Sequence, residues 1–373
     1  MVPYLVVFAA SFVATLLTTP AIRRLSVRLG WIDRPSDRKV HPKPTPTAGG
    51  IAIFIGLAVG LGLSRVLPFL SGLHETTSDP DAAVVAGLVI LGVGLLDDTR
   101  GISPLGKLAG QILGAGLLVL FGVQLLYFYF PGQGILVLSP DLAVPLTVLW
   151  VVAMVNAVNL IDGLDGLAAG MVAIAAVAFF VYMFRTDGGA DPSTAALISA
   201  VVAGSALGFL PWNFHPAKIF MGDSGAMLLG LMLAVATISG VGRNATPIRG
   251  DFAALAIPIA VPLLVLAVPF LDVLLAIIRR MRKGLGITHA DKQHIHHRLL
   301  EIGHSHREAV LLMYVWSALI SMCALAVAFI NGRLVVGGIV VVAVTANIAN
   351  AITRDIALNI AQAFAEQGTP PAK

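Results

Sequence analysis

Cysteine is nearly absent. Cys323 stands alone in 373 residues, so no intrachain disulfide can form and nothing marks an oxidised extracellular domain. Charge is scarce too: 12% of residues are charged and 57% hydrophobic, with a mean hydropathy of +0.90. Apolar runs near twenty residues recur along the whole chain, more than one soluble core can bury. No repeat period, heptad run or low-complexity tract occurs. What remains is an all-α polytopic membrane protein. Its basic balance, a formal net charge of +4, reads as membrane topology and not as a nucleic-acid patch.

Eleven spans are expected, at about 2–22, 47–66, 82–96, 108–126, 143–157, 166–184, 194–211, 225–241, 252–278, 308–330 and 333–352. The first has no basic leader and no small-residue cleavage site, and is read as a retained span. Of the 24 lysines and arginines, 19 fall on one side if the N-terminus lies outside, and five on the other. The positive-inside rule then places the C-terminus in the cytoplasm. One membrane domain, 1–353, and a cytoplasmic tail, 354–373, are expected. The polar clusters all follow odd-numbered spans, so five loops on the cytoplasmic face can build one site.

The densest cluster is Asn156-Ala-Val-Asn159-Leu-Ile-Asp162-Gly-Leu-Asp165-Gly166, directly after an apolar run. Steps of three fall about 60° short of a full turn, so Asn156, Asn159 and Asp162 form one slanted stripe. Asp165 points elsewhere unless the chain breaks at Gly163. Such groups are expensive to desolvate at a span end and are expected to face a wet, ligand-bearing cavity.

The other loops add to it. In the first, Arg38-Lys39-Val40-His41 precedes Lys43-Pro44-Thr45-Pro46-Thr47 and Gly49-Gly50. The alternate prolines keep the chain extended, and its basic residues suit either a polyanion or anionic lipid. Asp97-Asp98 open the second loop, which runs to Lys107. Adjacent acids diverge by about 100° on a helix, so one can face a cation while the other takes a proton. Lys107 either offsets their charge or holds a phosphate. The fourth loop carries Phe220-Met221-Gly222-Asp223-Ser224-Gly225. Asp223 or Ser224 can cap the next span or, at the same helix start, help bind phosphate, and Phe220 can anchor at the interface or serve a ligand. The fifth loop contains His294-Ile295-His296-His297-Arg298. It lacks the cysteines and spacing of a zinc cage and suits hydrogen bonds to a diphosphate or sugar, with a metal as the alternative. Together these groups fit an anionic, metal-bound, nucleotide-like substrate and a lipid partner.

These five motifs, in this order, resemble the polyprenyl-phosphate N-acetylhexosamine-1-phosphate transferases over about residues 1–350. The resemblance implies that a polyprenyl (undecaprenyl) phosphate oxygen attacks the sugar-bearing phosphorus of a UDP-sugar and UMP leaves, by direct or double displacement. It implies magnesium, with manganese as the substitute. Asp223 and Asn159 would be metal ligands, and Asp97 and Asp98 the catalytic pair. Asp162, Asp165, Asn156, Lys43 and a stacking Phe220 would bind the nucleotide. Lys107, His294, His296, His297 and Arg298 would touch phosphate and sugar. The fifth loop looks like the N-acetylglucosamine branch, implying UDP-N-acetylglucosamine as donor, although Thr45-Pro46-Thr47 echoes the phospho-MurNAc-pentapeptide branch. Many relatives carry a third acid where this chain has Gly101. Relatives are often homodimers. A transporter or lipid flippase is the alternative of another class; it calls for acids spread through the bilayer.

Overall fold

The computed structural model describes residues 1–35, 43–130, 134–186, 191–242 and 305–329. The expected spans at 252–278 and 333–352, the first-loop residues 38–41, the fifth-loop motif at 294–298 and the tail lie outside them. The long helices are α1 (Val2–Leu29), α2 (Gly50–Ser64), α5 (Asp79–Arg100), α6 (Pro104–Leu120), α7 (Pro140–Ile161), α8 (Leu167–Thr186), α9 (Thr194–Asn213), α10 (Gly222–Thr237) and α11 (His306–Phe329). Two short helices, α3 (Pro68–Ser71) and α4 (Leu73–Thr76), follow α2. Each expected span within the described residues is a helix. Seven are long and apolar enough to cross a membrane, and an eighth candidate is α2 with its 94° bend into the segment 68–76. The protein is therefore a mostly α-helical, multi-pass membrane protein.

The expectation of an all-α fold needs one correction. Tyr127–Phe130 (β3) pairs antiparallel with Gly134–Val137 (β4), and Ile32–Asp33 (β1) with Thr45–Pro46 (β2). The fourth span stops at Leu120, short of its expected end at 126. Gly122 there has a φ of 81°, and the aromatic run that follows favours a pleated ribbon.

Helix α10 is the axis of the bundle. It packs against α5, α7, α9 and α2, and 89% of its apolar window is buried, against 22% for α1. With lipid tails as apolar as leucine, helices gain by close backbone approach, and small residues permit it. A Cβ at Gly94 on α5 would run into the Ser224 backbone, and one at Gly50 on α2 into Ser224 and Gly225. The first turn of α10 is gripped from two sides.

Hydrogen bonds sort the helix ends. At one end of the bundle Tyr4 Oη accepts from Ser193 N (2.7 Å), and Ser239 Oγ donates to Asp79 (2.6 Å). At the other end gather the C-termini of α1, α5, α7 and α9 and the N-termini of α2, α6, α8, α10 and α11. The second end holds the acids of interest.

Gly94→Ala is expected to cost about 1–3 kcal/mol through overpacking against Ser224. Gly92 meets nothing within 4 Å, so Gly92→Ala is the matched control. Thermal unfolding in detergent checks the pair, and equal melting would refute the close approach.

Candidate active site

The site is built on the start of α10. Gly222 adopts a φ of 70°, and a Cβ there would strike the Asp98 carboxylate. Neither Asp223 nor Ser224 caps the helix, since its N-cap is Met221 with no side-chain bond. Asp98 reaches across from α5 instead. Its Oδ1 accepts from Asp223 N (2.7 Å), and its Oδ2 from Ser224 N (3.2 Å) and Ser224 Oγ (2.7 Å). Free N–H groups at a buried helix start need acceptors, and the helix dipole favours a negative one. The place where phosphate binding was an option is thus filled by a carboxylate.

Asp97, one residue earlier, faces another way, as adjacent helical positions require. Its Oδ1 accepts from Ile102 N (2.9 Å) and its Oδ2 from Lys107 Nζ (2.9 Å). The same ammonium bonds Asp223 Oδ2, while Asn159 Nδ2 donates to Asp223 Oδ1 (2.8 Å). Asp97, Lys107, Asp223 and Asn159 therefore form one row across α5, α6, α10 and α7. Lys107 is the one lysine or arginine bonded to these carboxylates among the described residues. Asn156 lies a turn deeper, exchanging amide bonds with Gln111 on α6 (2.6 and 3.3 Å). Of the expected stripe, Asn159 joins the row and Asn156 ties α7 to α6.

The chain does break after Asn159. Helix α7 ends at Ile161, with Asp162 as its C-cap, and Gly166 turns the chain with a φ of 81°. Burial first, and then the charges of Asp223, Asp98 and Asp165, push the Asp162 carboxyl up to about 8. Asp165 is turned away from that cluster. Its Oδ2 meets His215 Nδ1 (2.7 Å) and accepts from Ala217 N (3.0 Å), while its own N–H donates to His306 Nε2 (3.0 Å). Asn213 Oδ1 accepts from Gly166 N (3.0 Å). The two acids are held differently: the Asp162 side chain makes no hydrogen bond among the described residues, while Asp165 is bonded to the loop at His215 and Ala217.

Phe220 is placed by its backbone. Its N–H donates to Pro46 O (2.8 Å) and its carbonyl accepts from Gly49 N (3.0 Å), with Gly50 N on Met221 O (3.1 Å). The proline-rich strap is thus stitched beside Phe220, and Lys43 lies exposed at its head. His294, His296, His297 and Arg298 lie outside the described residues. Sequence reasoning assigned nothing to Gln111, Asn213, His215 or His306. Gln111 had a signal, a lone carboxamide in an apolar helix; no spacing ties His306 to Asp165, 141 positions away.

Two groups offer metal ligands. Asp97 and Asp223 present carboxylate oxygens in a net negative setting that suits a hard divalent ion, and Asn159, which now turns its amide nitrogen to Asp223, would add an oxygen on rotation of its amide. Asp165, His215 and His306 have ligand atoms within 4.8 Å of one another and could also coordinate a divalent ion. Their imidazoles stack nearly parallel, 4.1 Å between centroids and 15° between planes. Ring lone pairs lie in the ring planes, so convergence on one ion requires one ring to rotate.

Fold and site together define an acidic centre at one end of a bundle of membrane-spanning helices, with carboxylate oxygens that could hold a divalent ion. The glycosyl transferase family 4 model matches residues 82–241. The chain is similar to the decaprenyl-phosphate N-acetylglucosaminephosphotransferase of Mycobacterium tuberculosis, 45% identical over 89% of this chain and 85% of that protein. It is 38% identical to a probable undecaprenyl-phosphate N-acetylglucosaminyl 1-phosphate transferase of Bacillus subtilis, over 87% of this chain and 85% of the relative. A phospho-N-acetylmuramoyl-pentapeptide-transferase of Mycobacterium ulcerans is 31% identical over 62% of this chain and 74% of its own length. The chain belongs to the polyprenyl-phosphate N-acetylhexosamine-1-phosphate transferase family.

The state of Asp162 is open to test. A carboxyl that titrates at 3.8 in the unfolded chain and at about 8 in the fold binds its proton more tightly when folded. Stability then falls as pH rises through that window, by up to about 1.4 kcal/mol per pH unit, and levels off above it. Asp162→Asn removes the effect. Without divalent ions the variant is expected to gain in melting temperature over the parent from about pH 4 to about pH 8; a constant difference would show an ordinary carboxyl.

Proposed function

We propose that this protein transfers N-acetylglucosamine 1-phosphate from UDP-N-acetylglucosamine to a polyprenyl phosphate. UMP is released, and the sugar diphospholipid that starts a cell-envelope polysaccharide remains in the membrane. The names of the 45% and 38% identical relatives support donor and acceptor class. The observation that carries the reading is the row Asp97, Lys107, Asp223, Asn159, with Asp98 fixed behind it.

The bonds support the following roles. Asp98 has both oxygens committed to α10 and acts as the fixed support of Asp223. Asp97 is the acid that orients the lipid phosphate or takes its proton, since the bond it would break, to Lys107, is to a flexible side chain. A phosphate oxygen of the lipid attacks the sugar-bearing phosphorus, its bond to the UMP oxygen breaks, and UMP departs. Lys107, released from the carboxylates, meets the phosphates. Asp223 with Asn159 and Asp97 would hold magnesium or manganese, which would supply charge neutralisation to the diphosphate and to departing UMP. Asn159 would then present its oxygen in place of its amide nitrogen.

Asp162 faces the nucleoside with Phe220 stacked on uracil, while Asp165 acts through the loop and Asn156 as support for Asn159. Lys43 stands at the nucleotide end of the strap. His294, His296, His297 and Arg298 are assigned to diphosphate and sugar. Eleven spans, an outside N-terminus and a cytoplasmic C-terminus put the site on the cytoplasmic face, where a soluble UDP-sugar meets a membrane-held lipid. The division at 353/354 and a homodimer belong to the same proposal. A transporter reading finds less support, because the acids gather at one end of the bundle.

Purified protein with polyprenyl phosphate and magnesium is expected to release UMP from UDP-N-acetylglucosamine. Asp97→Asn should lose activity at least about a hundredfold with near-native melting. Asp98→Asn should lose activity and melt lower, since an amide puts a donor against the Ser224 N–H. Release only from UDP-MurNAc-pentapeptide would move the donor to the other branch, and silence with both would sink the transferase.

A further inference from the structure

The turn between α7 and α8 carries Asp162, and it is tied down by helix α11, which enters the chain 141 positions later. Two bonds reach the turn itself and a third holds His215, which in turn bonds Asp165. His306 Nε2 accepts from Asp165 N (3.0 Å); Tyr314 Oη donates to Gly166 O; and Arg307 Nε donates to His215 O (3.0 Å). His215, stacked on His306, holds the Asp165 carboxylate from the other side (2.7 Å). The turn has a reason to need holding. Helix α7 has ended at Ile161 and the Asp162 side chain makes no hydrogen bond among the described residues, so only the turn beneath it sets its direction.

We propose that His306 is a positioning residue for the donor nucleotide: by accepting the Asp165 amide it locks the Gly163–Gly166 turn and fixes the direction of the Asp162 carboxyl. This rests on the transferase reading given above. His306 touches no reacting group. Its nitrogen is an acceptor in a clasp that joins the start of α11 to the α7–α8 turn, so the α11 side of the molecule sets how the nucleotide end of the site is presented. Loss of the acceptor frees the turn, weakens the hold on the nucleoside and leaves the Asp97–Lys107–Asp223 row intact.

Three substitutions separate ring from acceptor. His306→Gln keeps an acceptor at the reach of Nε2 and loses the ring; His306→Phe keeps the ring stack and loses the acceptor; His306→Ala loses both. The expected result is a KM for UDP-N-acetylglucosamine raised about tenfold in the Phe and Ala forms, the scale of one lost hydrogen bond. Their kcat should stay within about twofold, and the Gln form should match the parent. A Phe form with the parent's KM, a Gln form as impaired as Phe, or a fall in kcat of equal size in all three overturns the proposal. Hydrogen exchange over the Gly163–Gly166 turn gives a readout free of turnover. Faster exchange in Phe than in Gln supports the clasp, and equal exchange refutes it. If the parent protein neither binds UMP nor releases it from a UDP-sugar, the transferase reading fails, and the exchange result still decides the clasp.

Discussion

The structure depends on one carboxylate, that of Asp98, seated on the start of α10. A helix beginning inside a bundle leaves N–H groups that water does not reach, and each lost partner there costs about 1–3 kcal/mol. Asp98 takes two of them and the Ser224 hydroxyl as well. That fixes α5 to α10 at the residue where direction matters, because Asp223 supplies one of those N–H groups and also the side chain that meets Lys107 and Asn159. Had a local side chain capped α10, the helix would be satisfied but Asp223 would not be referenced to α5.

Backbone crowding makes the arrangement stiff. Gly50 and Gly94 allow α2 and α5 to press on Ser224, and the strap from Thr45 to Gly50 is bonded along Phe220 and Met221. Ala48 in that strap has a φ of 74°, a conformation that a non-glycine residue holds only when its surroundings impose it. Strained backbone, glycine contacts and the strap all bear on the start of α10, from Phe220 to Gly225. Electrostatic catalysis needs donors and acceptors placed before the substrate arrives, and rigid elements do this better than loops.

Much of this could be read from residues alone, for a physical reason. Acids and carboxamides at the ends of apolar runs carry such desolvation cost that their presence already announces a site, and Asp97, Asp98, Asn159, Asp162 and Asp223 do converge. Alternation of span ends then told which loops share a face. Partner choice was not legible. Whether Asp98 or Ser224 caps α10, or whether Asp165 turns toward the cluster or toward His215, depends on packing between helices far apart in sequence, which no local period encodes. The hairpin after Leu120 was missed because an aromatic run near a membrane edge fits a span end as well as a ribbon.

The acids also differ in how they are held, and the difference orders their roles. Asp98 rests on α10, Asp97 on Ile102 N and Lys107, Asp165 on Ala217 N and His215. Asp162 is the exception: among the described residues its carboxylate accepts no hydrogen bond, while three like charges bear on it. Half-buried, with no protein donor and with like charges near it, this carboxyl favours its neutral form until something positive or hydrogen-bonding arrives. Its lone pairs are therefore the ones still to be satisfied, which is the property expected of a group that meets a ligand and not of one that supports the frame. The clasp at Asp165 then has a clear physical purpose, since a side chain with no bonds of its own keeps its direction only if the backbone beneath it is fixed.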